Sequence, residues 1–196
     1  FPDQVVGRSY LLVAPDRDAL PASSSSTAAT VVGVFDHVRD LFASSSEARA
    51  SGLGKSAFST RGKGGRCETC EGAGRVRISM DFLPDVWVPC EDCGGQRYLP
   101  EVLACRLDGR SIADVLAMTL SEALGFFASH RNITRPLGIL DELGLGYLTL
   151  GQGADTMSGG ERQRLLLASE LIEEHGQPSL FLFDEPTTGL HALDVE

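Results

Sequence analysis

With 196 residues, 42% of them apolar, the chain is long enough for one domain or two small ones around a real core, which excludes wholesale disorder. Lysine and arginine number 17 against 27 aspartates and glutamates, and the net charge of −10 excludes a protein that coats nucleic acid through a generally basic surface, leaving only a local patch for such contact. No apolar run approaches the roughly 20 residues that span a bilayer, and Phe1-Pro2-Asp3 opens without initiator Met, charged region or apolar leader. The expectation is a soluble, cytoplasmic polypeptide, cut from something longer, with no membrane partner.

Residues 10–34 hold Pro15, Pro21 and the run from Ser23 to Thr27, a composition that reads as a poorly ordered linker, so that residues 1–30 form a tether. From Val31 the positions Val31, Val34, Phe35, Val38, Leu41 and Phe42 follow the i, i+3, i+4 rule, and a short amphipathic helix within residues 31–60 ends at the serines 44–46. Residues 61–105 surround four cysteines, and the β-branched stretch 76–88 suits short strands.

Residues 106–175 read as helical. Ser111 with Asp114 makes a capping box for a helix buried through Ile112, Val115 and Leu116; a second helix starts at Ser121 with Leu124, Phe126 and Phe127 inward. A third covers 136–143, with Pro136 in its first turn and Gly144 as C-cap, and Tyr147 to Leu150 is too short to assign. A longer helix runs from Gly159 to about Glu174 behind Ser158, and residues 179–183, within a last segment 176–196, form a strand buried on both faces that, standing alone, exposes apolar surface. The fold class is α/β in a mixed helix-and-strand arrangement.

Cys67-Glu68-Thr69-Cys70 is followed, after 19 intervening residues, by Cys90-Glu91-Asp92-Cys93, with Cys105 apart. Each C-x-x-C puts two thiolates on one knuckle, and two knuckles complete a closed tetrahedral Cys₄ site, the arrangement of a structural Zn²⁺. Redox dithiols are the bland alternative. Around them Arg61, Lys63, Arg66, Arg75 and Arg77 face only Glu68 and Glu71, a local charge of +3 over residues 61–77 that four thiolates and one Zn²⁺ reduce to about +1. Lys63 and Arg66 lie on glycine-flanked backbone that can approach phosphates; a solvated basic loop without ligand is the other reading.

Met157-Ser158-Gly159-Gly160-Glu161 opens a helix, and two side-chain-free residues at a helix N-terminus suit a terminal phosphate. Twenty residues after Glu161 begins Phe181-Leu182-Phe183-Asp184-Glu185-Pro186, an apolar strand ending in two carboxylates, one placed for Mg²⁺ and the next for polarising a water. Gly54-Lys55-Ser56 ends like a phosphate loop, but Arg49 stands where that pattern needs glycine, so it reads as a basic loop.

At these residues the chain resembles the ATP-binding-cassette ATPases and, among them, the UvrA family of bacterial nucleotide excision repair. The resemblance runs from about Val31 to the end through Gly33-Val34-Phe35, Gly64-Gly65-Arg66-Cys67-Glu68, Phe82-Leu83-Pro84-Asp85, Leu150-Gly151-Gln152, Ser158-Gly159-Gly160-Glu161 and Asp184-Glu185-Pro186-Thr187-Thr188-Gly189-Leu190-His191. Phe-Leu-Pro-Asp between the cysteine pairs is similar to the second, C-terminal cassette, and Asp3-Gln4 with Gly7-Arg8 resembles the segment supplying its Q-loop glutamine.

The resemblance implies a helical signature subdomain, a protruding zinc module held by Cys67, Cys70, Cys90 and Cys93, and part of a nucleotide-binding lobe. Ser158, Gly159, Gly160 and Glu161 would form the signature that meets the γ-phosphate of ATP on the opposite cassette. Asp184 would support Mg²⁺, Gln4 would face the nucleotide, Glu185 would be the catalytic carboxylate and Asp194 would fall in the D-loop. Lys63, Arg66 and Arg75 would meet DNA phosphates, and ATP turnover would govern how a UvrA homodimer grips damaged double-stranded DNA before passing it to UvrB.

Met157 stands where the family usually has leucine, and residues 10–30 do not resemble it. No Walker A precedes Gln4 and no switch histidine follows Asp194, so the nucleotide site is expected to be composite and the 196 residues by themselves to hydrolyse ATP negligibly. Two further readings stay open. A UvrA paralogue that frees DNA of a bound drug shares every motif, and Cys67-x-x-Cys70-x-Gly72-x-Gly74 also matches the cysteine-rich repeat of DnaJ-type co-chaperones, which bind unfolded polypeptide.

Overall fold

Short polar side chains cap five of the helices among the described residues. In the computed structural model, which describes residues 11–13, 26–80, 85–173 and 179–181, Thr27, Ser111, Thr119 and Ser158 each accept a hydrogen bond from the backbone N–H three residues on, while that third residue returns a bond to the cap. These reciprocal boxes satisfy N–H groups that a helix start leaves orphaned. In chain order the elements are β1 Leu11–Val13, α1 Ala28–Val31, α2 Val34–Ala43, α3 Ser46–Ala50, a 3₁₀ turn Lys55–Phe58, β2 Arg75–Ile78, β3 Val86–Pro89, α4 Pro100–Ala104, α5 Ile112–Ala117, α6 Leu120–Phe126, α7 Arg131–Glu142, a second 3₁₀ turn Ala154–Thr156, α8 Gly159–Ile172 and β4 Ser179–Phe181.

Helix and strand are mixed but segregated. α2, α6, α7 and α8 pack on one another around Phe42, Phe58, Leu120, Phe127, Leu137, Leu140 and Leu165, all essentially buried. The antiparallel pair β2 and β3, in register Arg75↔Pro89 to Ile78↔Val86, rises between the two cysteine pairs. Tyr98, just past that hairpin, is buried and donates its hydroxyl to the Phe58 carbonyl at 3.0 Å, which ties the cysteine module to the helical core. No helix among the described residues is long and apolar enough to cross a membrane.

The serine-rich stretch departs from the linker reading at both ends. β1 pairs in parallel with β4, Leu11↔Ser179 to Val13↔Phe181, so the apolar strand at 179 is not alone. Ser26 and Thr27 are buried: the Ser26 carbonyl accepts from Ala154 N–H at 2.7 Å, and Ala28 and Ala29 donate to the Gln152 and Leu150 carbonyls. Ala28 and Ala29 are small enough to let backbone meet backbone there, and the Ser26 hydroxyl accepts from Arg61 Nη2 at 3.2 Å.

Helix starts also shift. Gly33, at φ +74°, breaks the expected first helix into α1 and α2, and α6 begins behind Thr119 rather than at Ser121, with Leu124 and Phe126 only half-buried. α7 begins five residues before Pro136, which sits buried in its interior. A proline there removes one helical hydrogen bond and costs about 3 kcal/mol in an exposed helix. Here Ile133, Leu137 and Leu140 line the same face, and their burial overrides the local penalty. The end of α7 is as expected: Gly144 at φ +71° and Leu145 donate back to the Asp141 and Leu140 carbonyls at 2.9 and 3.0 Å, a Schellman closure.

Candidate metal centre and signature loop

Cys67, Cys70, Cys90 and Cys93 bring their Sγ atoms within 4.8 Å of one another, with Cys67 to Cys90 at 3.9 Å and Cys70 to Cys93 at 3.7 Å. A tetrahedron of ~2.3 Å metal–sulfur bonds has edges of about 3.8 Å, and the Cys67–Cys90 and Cys70–Cys93 edges match it. All four are free thiols, far beyond disulfide bonding distance. The set can hold a metal ion, and its all-thiolate, closed chemistry fits zinc.

Two matching knuckles build it. Gly74 N–H donates to Cys70 Sγ at 3.2 Å and Arg97 N–H to Cys93 Sγ at 3.4 Å, each four residues past its cysteine. Across the pair, Cys90 N–H donates to the Gly74 carbonyl at 3.0 Å and Cys67 N–H to the Arg97 carbonyl at 2.8 Å. Backbone thus clamps each knuckle to the other and points donors at the sulfurs.

Burial pushes the Cys70 thiol up to about 12, and burial also raises Cys93. Burial pulls the same way on Cys67, but the N–H groups of Cys70 and Thr69 and the neighbouring thiols outweigh it and hold Cys67 below its ordinary value. With no cation, Cys70 and Cys93 therefore keep their protons at neutral pH, and a bound divalent ion displaces them.

The module needs glycine for steric reasons at Gly65, Gly72 and Gly74, where an added Cβ would meet backbone oxygen within 2.7 Å. A Cβ on Gly72, which lies at φ +83°, would sit 2.1 Å from the Thr60 carbonyl oxygen. Gly72→Ala is expected to lower stability by about 3 kcal/mol, from strain and overpacking together, as a drop in the urea midpoint at unchanged slope. An unchanged midpoint would mean that the 55–60 loop is not seated against the knuckle.

The basic residues part company. Lys63 is exposed. Arg66 is half-buried, donates to the Arg61 carbonyl at 3.0 Å and lies 3.7 Å from Glu71. Arg75 turns inward: its guanidinium stacks on Trp87, 4.7 Å from the ring centroid, and pairs with Asp155. Lys55 closes an ion pair with Asp40 at 2.8 Å at the start of a 3₁₀ turn, as befits a basic loop rather than a phosphate cradle.

Ser158 caps α8 by accepting from Glu161 N–H at 3.2 Å, while the Glu161 carboxylate accepts from Ser158 N–H at 2.6 Å and from the Tyr147 hydroxyl at 2.6 Å. Those donors hold the Glu161 carboxyl below its usual range although partial burial opposes them. Ser158 and Gly159 are exposed, a Cβ on Gly159 would meet nothing within 4 Å, and Gly160 is buried against the core. An open, positively polarised helix end results. Gln4, Asp184, Glu185 and Asp194 lie outside the described residues.

No protein-family model matches the chain. It is 50% identical over 184 residues to UvrABC system protein A of Streptococcus pyogenes, covering 94% of this chain and 20% of that protein, and 52% identical over 180 residues to UvrABC system protein A of Thermus thermophilus, covering 92% and 19%. The solved structure of UvrA2 from Deinococcus radiodurans superimposes with a TM-score of 0.88 at 47% identity, over 94% of this chain and 22% of that one. Over nearly all of its own length, this chain matches UvrA proteins.

The chain spans about a fifth of the length of the curated UvrA proteins it matches. With a UvrA match along nearly all of it, the co-chaperone reading of the first cysteine pair falls away. Three contacts around the UvrA-type site escape sequence reading: Tyr147 on Glu161, Asp155 on Arg75, and Arg97, whose Nη2 donates to the Gly151 carbonyl at 2.8 Å. None carries a local signal, because each partner lies a loop or a domain away in sequence.

Proposed function

We propose that the chain is the zinc-bearing, signature-carrying part of a UvrA-type ATPase that engages damaged double-stranded DNA in nucleotide excision repair. One observation carries the reading: a four-thiolate set of tetrahedral dimensions and an open, capped Ser-Gly-Gly helix start belong to one folded unit with UvrA-like sequence throughout. Cys67, Cys70, Cys90 and Cys93 hold a structural Zn²⁺ and so fix the surface beside them. Lys63 and Arg66 are the cations that meet DNA phosphates; Arg75, engaged by Asp155, supports the module instead.

Ser158, Gly159 and Gly160 supply N–H groups and one hydroxyl to the terminal phosphate of an ATP held by the opposite cassette of a homodimer. The Ser158 oxygen is occupied by its cap, and its proton remains for the phosphate. Asp184 and Gln4 serve the Mg²⁺ side of that composite site and Glu185 polarises the attacking water. The complete protein works in the cytoplasm and passes the lesion to UvrB.

The test is fluorescence anisotropy of the complete gene product on matched duplexes with and without a bulky adduct, over a salt series, with and without ATP. Preference for the adduct that changes with nucleotide is expected, with a log–log salt slope that counts phosphate contacts. Equal, nucleotide-insensitive binding to both duplexes would overturn damage recognition and favour a paralogue that frees DNA of a bound drug.

A further inference from the structure

The cysteine module and the signature loop are joined by two polar contacts that run through the same short stretch of backbone. Arg97 belongs to the metal site by its main chain, donating to Cys93 Sγ and accepting from Cys67 N–H, while its side chain reaches the Gly151 carbonyl. Arg75, at the base of β2 and opposite Pro89 beside Cys90, pairs with Asp155. Gly151 and Asp155 bracket the loop that ends in Ser158.

That loop has little freedom of its own. Gly151 N–H donates to the Leu116 carbonyl at 2.7 Å, Ala154 N–H to Ser26 at 2.7 Å, and the Thr156 hydroxyl closes on the Gly153 carbonyl at 2.8 Å. Met157, immediately before the cap, is buried. A tilt of the cysteine module must therefore drag residues 151–156 or break both arginine contacts.

A second arrangement of the same groups is open. Arg97 Nη1 and Asp155 Oδ1 are both buried and have no hydrogen-bond partner, a donor and an acceptor on the two sides of one junction. Beside them lies a cleft of about 760 Å³, lined by Arg75, Trp87, Gly95, Arg97, Gly151 and Gln152, which leaves room for the module to slide. Buried orphans are costly, and a shift that let Asp155 bridge both arginines would satisfy them.

We infer that Arg97 and the Arg75–Asp155 pair are positioning residues that transmit movement of the metal-bearing module to Ser158. The inference rests on the signature role of Ser158 proposed above. Trp87, the single tryptophan of the sequence and stacked on Arg75, reports on the junction.

The experiment uses the complete gene product in its metal-loaded form. Asp155→Ala is expected to keep its metal content and its KM for ATP, but to lose DNA stimulation of kcat by about fivefold or more, the scale of a typical coupling between sites. Asp155→Glu restores most of it. A non-hydrolysable ATP analogue changes Trp87 emission in the parent, taken as the difference from Trp87→Phe, and leaves it unchanged in Asp155→Ala. Should Asp155→Ala fail to fold, Asp155→Asn, which keeps the shape and removes the charge, carries the same measurements. Ser158→Ala separates the two ideas: turnover equal to the parent's would overturn the signature reading and this inference with it. Loss of turnover in Ser158→Ala, with full DNA stimulation and an intact Trp87 response in Asp155→Ala, would overturn the coupling alone.

Discussion

Cys90→Ser is expected to strip the metal and unfold the two knuckles and the hairpin between them, while Tyr98 stays seated in the helical core. Cys90 is wholly buried and its sulfur lies 3.9 Å from that of Cys67, so a serine oxygen would be a hard, mismatched ligand at a soft thiolate corner. Among the described residues, the apolar side chains packed against Cys67, Cys70 and Cys90 are those of Val76 and Cys93, little apolar area to hold the knuckles together without a metal. Structural zinc sites of this kind bind with an apparent free energy of about 10–16 kcal/mol at neutral pH, and most of that energy appears as folding.

Acid does the same reversibly. Burial pushes Cys70 up to about 12 and raises Cys93, so at pH 7 both carry protons in the metal-free module and release them on loading. At least two protons compete with each ion; affinity falls about hundredfold for each pH unit lost, and rises as pH rises toward the thiol range. Metal release followed with a chromogenic chelator across pH 5 to 8 would give that slope. A slope near zero, or Cys90→Ser protein with full metal content and an unchanged thermal transition, would rule out the four-thiolate site.

What the sequence discloses here is what is encoded within a turn or a knuckle. Ser111 with Asp114, and Ser158 with Glu161, are three residues apart and their side chains reach each other as soon as the helix starts, so both boxes are readable. The cysteine spacing is likewise local, except that closure of one pair on the other depends on the β2–β3 hairpin. Pro136 misleads for the opposite reason, because the decisive term is burial of Ile133 and Leu137 against other helices, which no local rule contains. Ser26 and Thr27 look like linker until Ala154 and Gly153 are brought beside them. Arg75 reads as a free cation from its neighbours in sequence, and the carboxylate that engages it lies 80 residues away. Local chemistry placed the candidate ligands and the cap; tertiary pairing decided which charges face solvent and which brace the module.

Gly159→Asp separates folding from the function proposed for the start of α8. Gly159 is the first residue of α8, is exposed, takes no left-handed conformation, and a Cβ there would meet nothing within 4 Å. A carboxylate in a first helical turn is favourable by about 0.3–1 kcal/mol through the helix dipole, so the thermal transition is expected to hold or rise slightly. The same carboxylate occupies the open end where a terminal phosphate is proposed to bind. It neutralises the potential that would attract the anion and sets a like charge against it, an effect expected to cost ATP turnover of the complete gene product about 10²–10³-fold, comparable to deleting an oxyanion donor. Gly159→Ala, which adds a methyl group to open space, should stay within several-fold of the parent. Ser158→Ala should instead weaken both properties, losing about 1 kcal/mol of helix cap together with the hydroxyl contact. The order Gly159→Asp stable and inactive, Gly159→Ala stable and active, Ser158→Ala weakened in both, follows only if the N-terminus of α8 faces phosphate; turnover in Gly159→Asp equal to the parent's would mean that this helix end serves the fold alone.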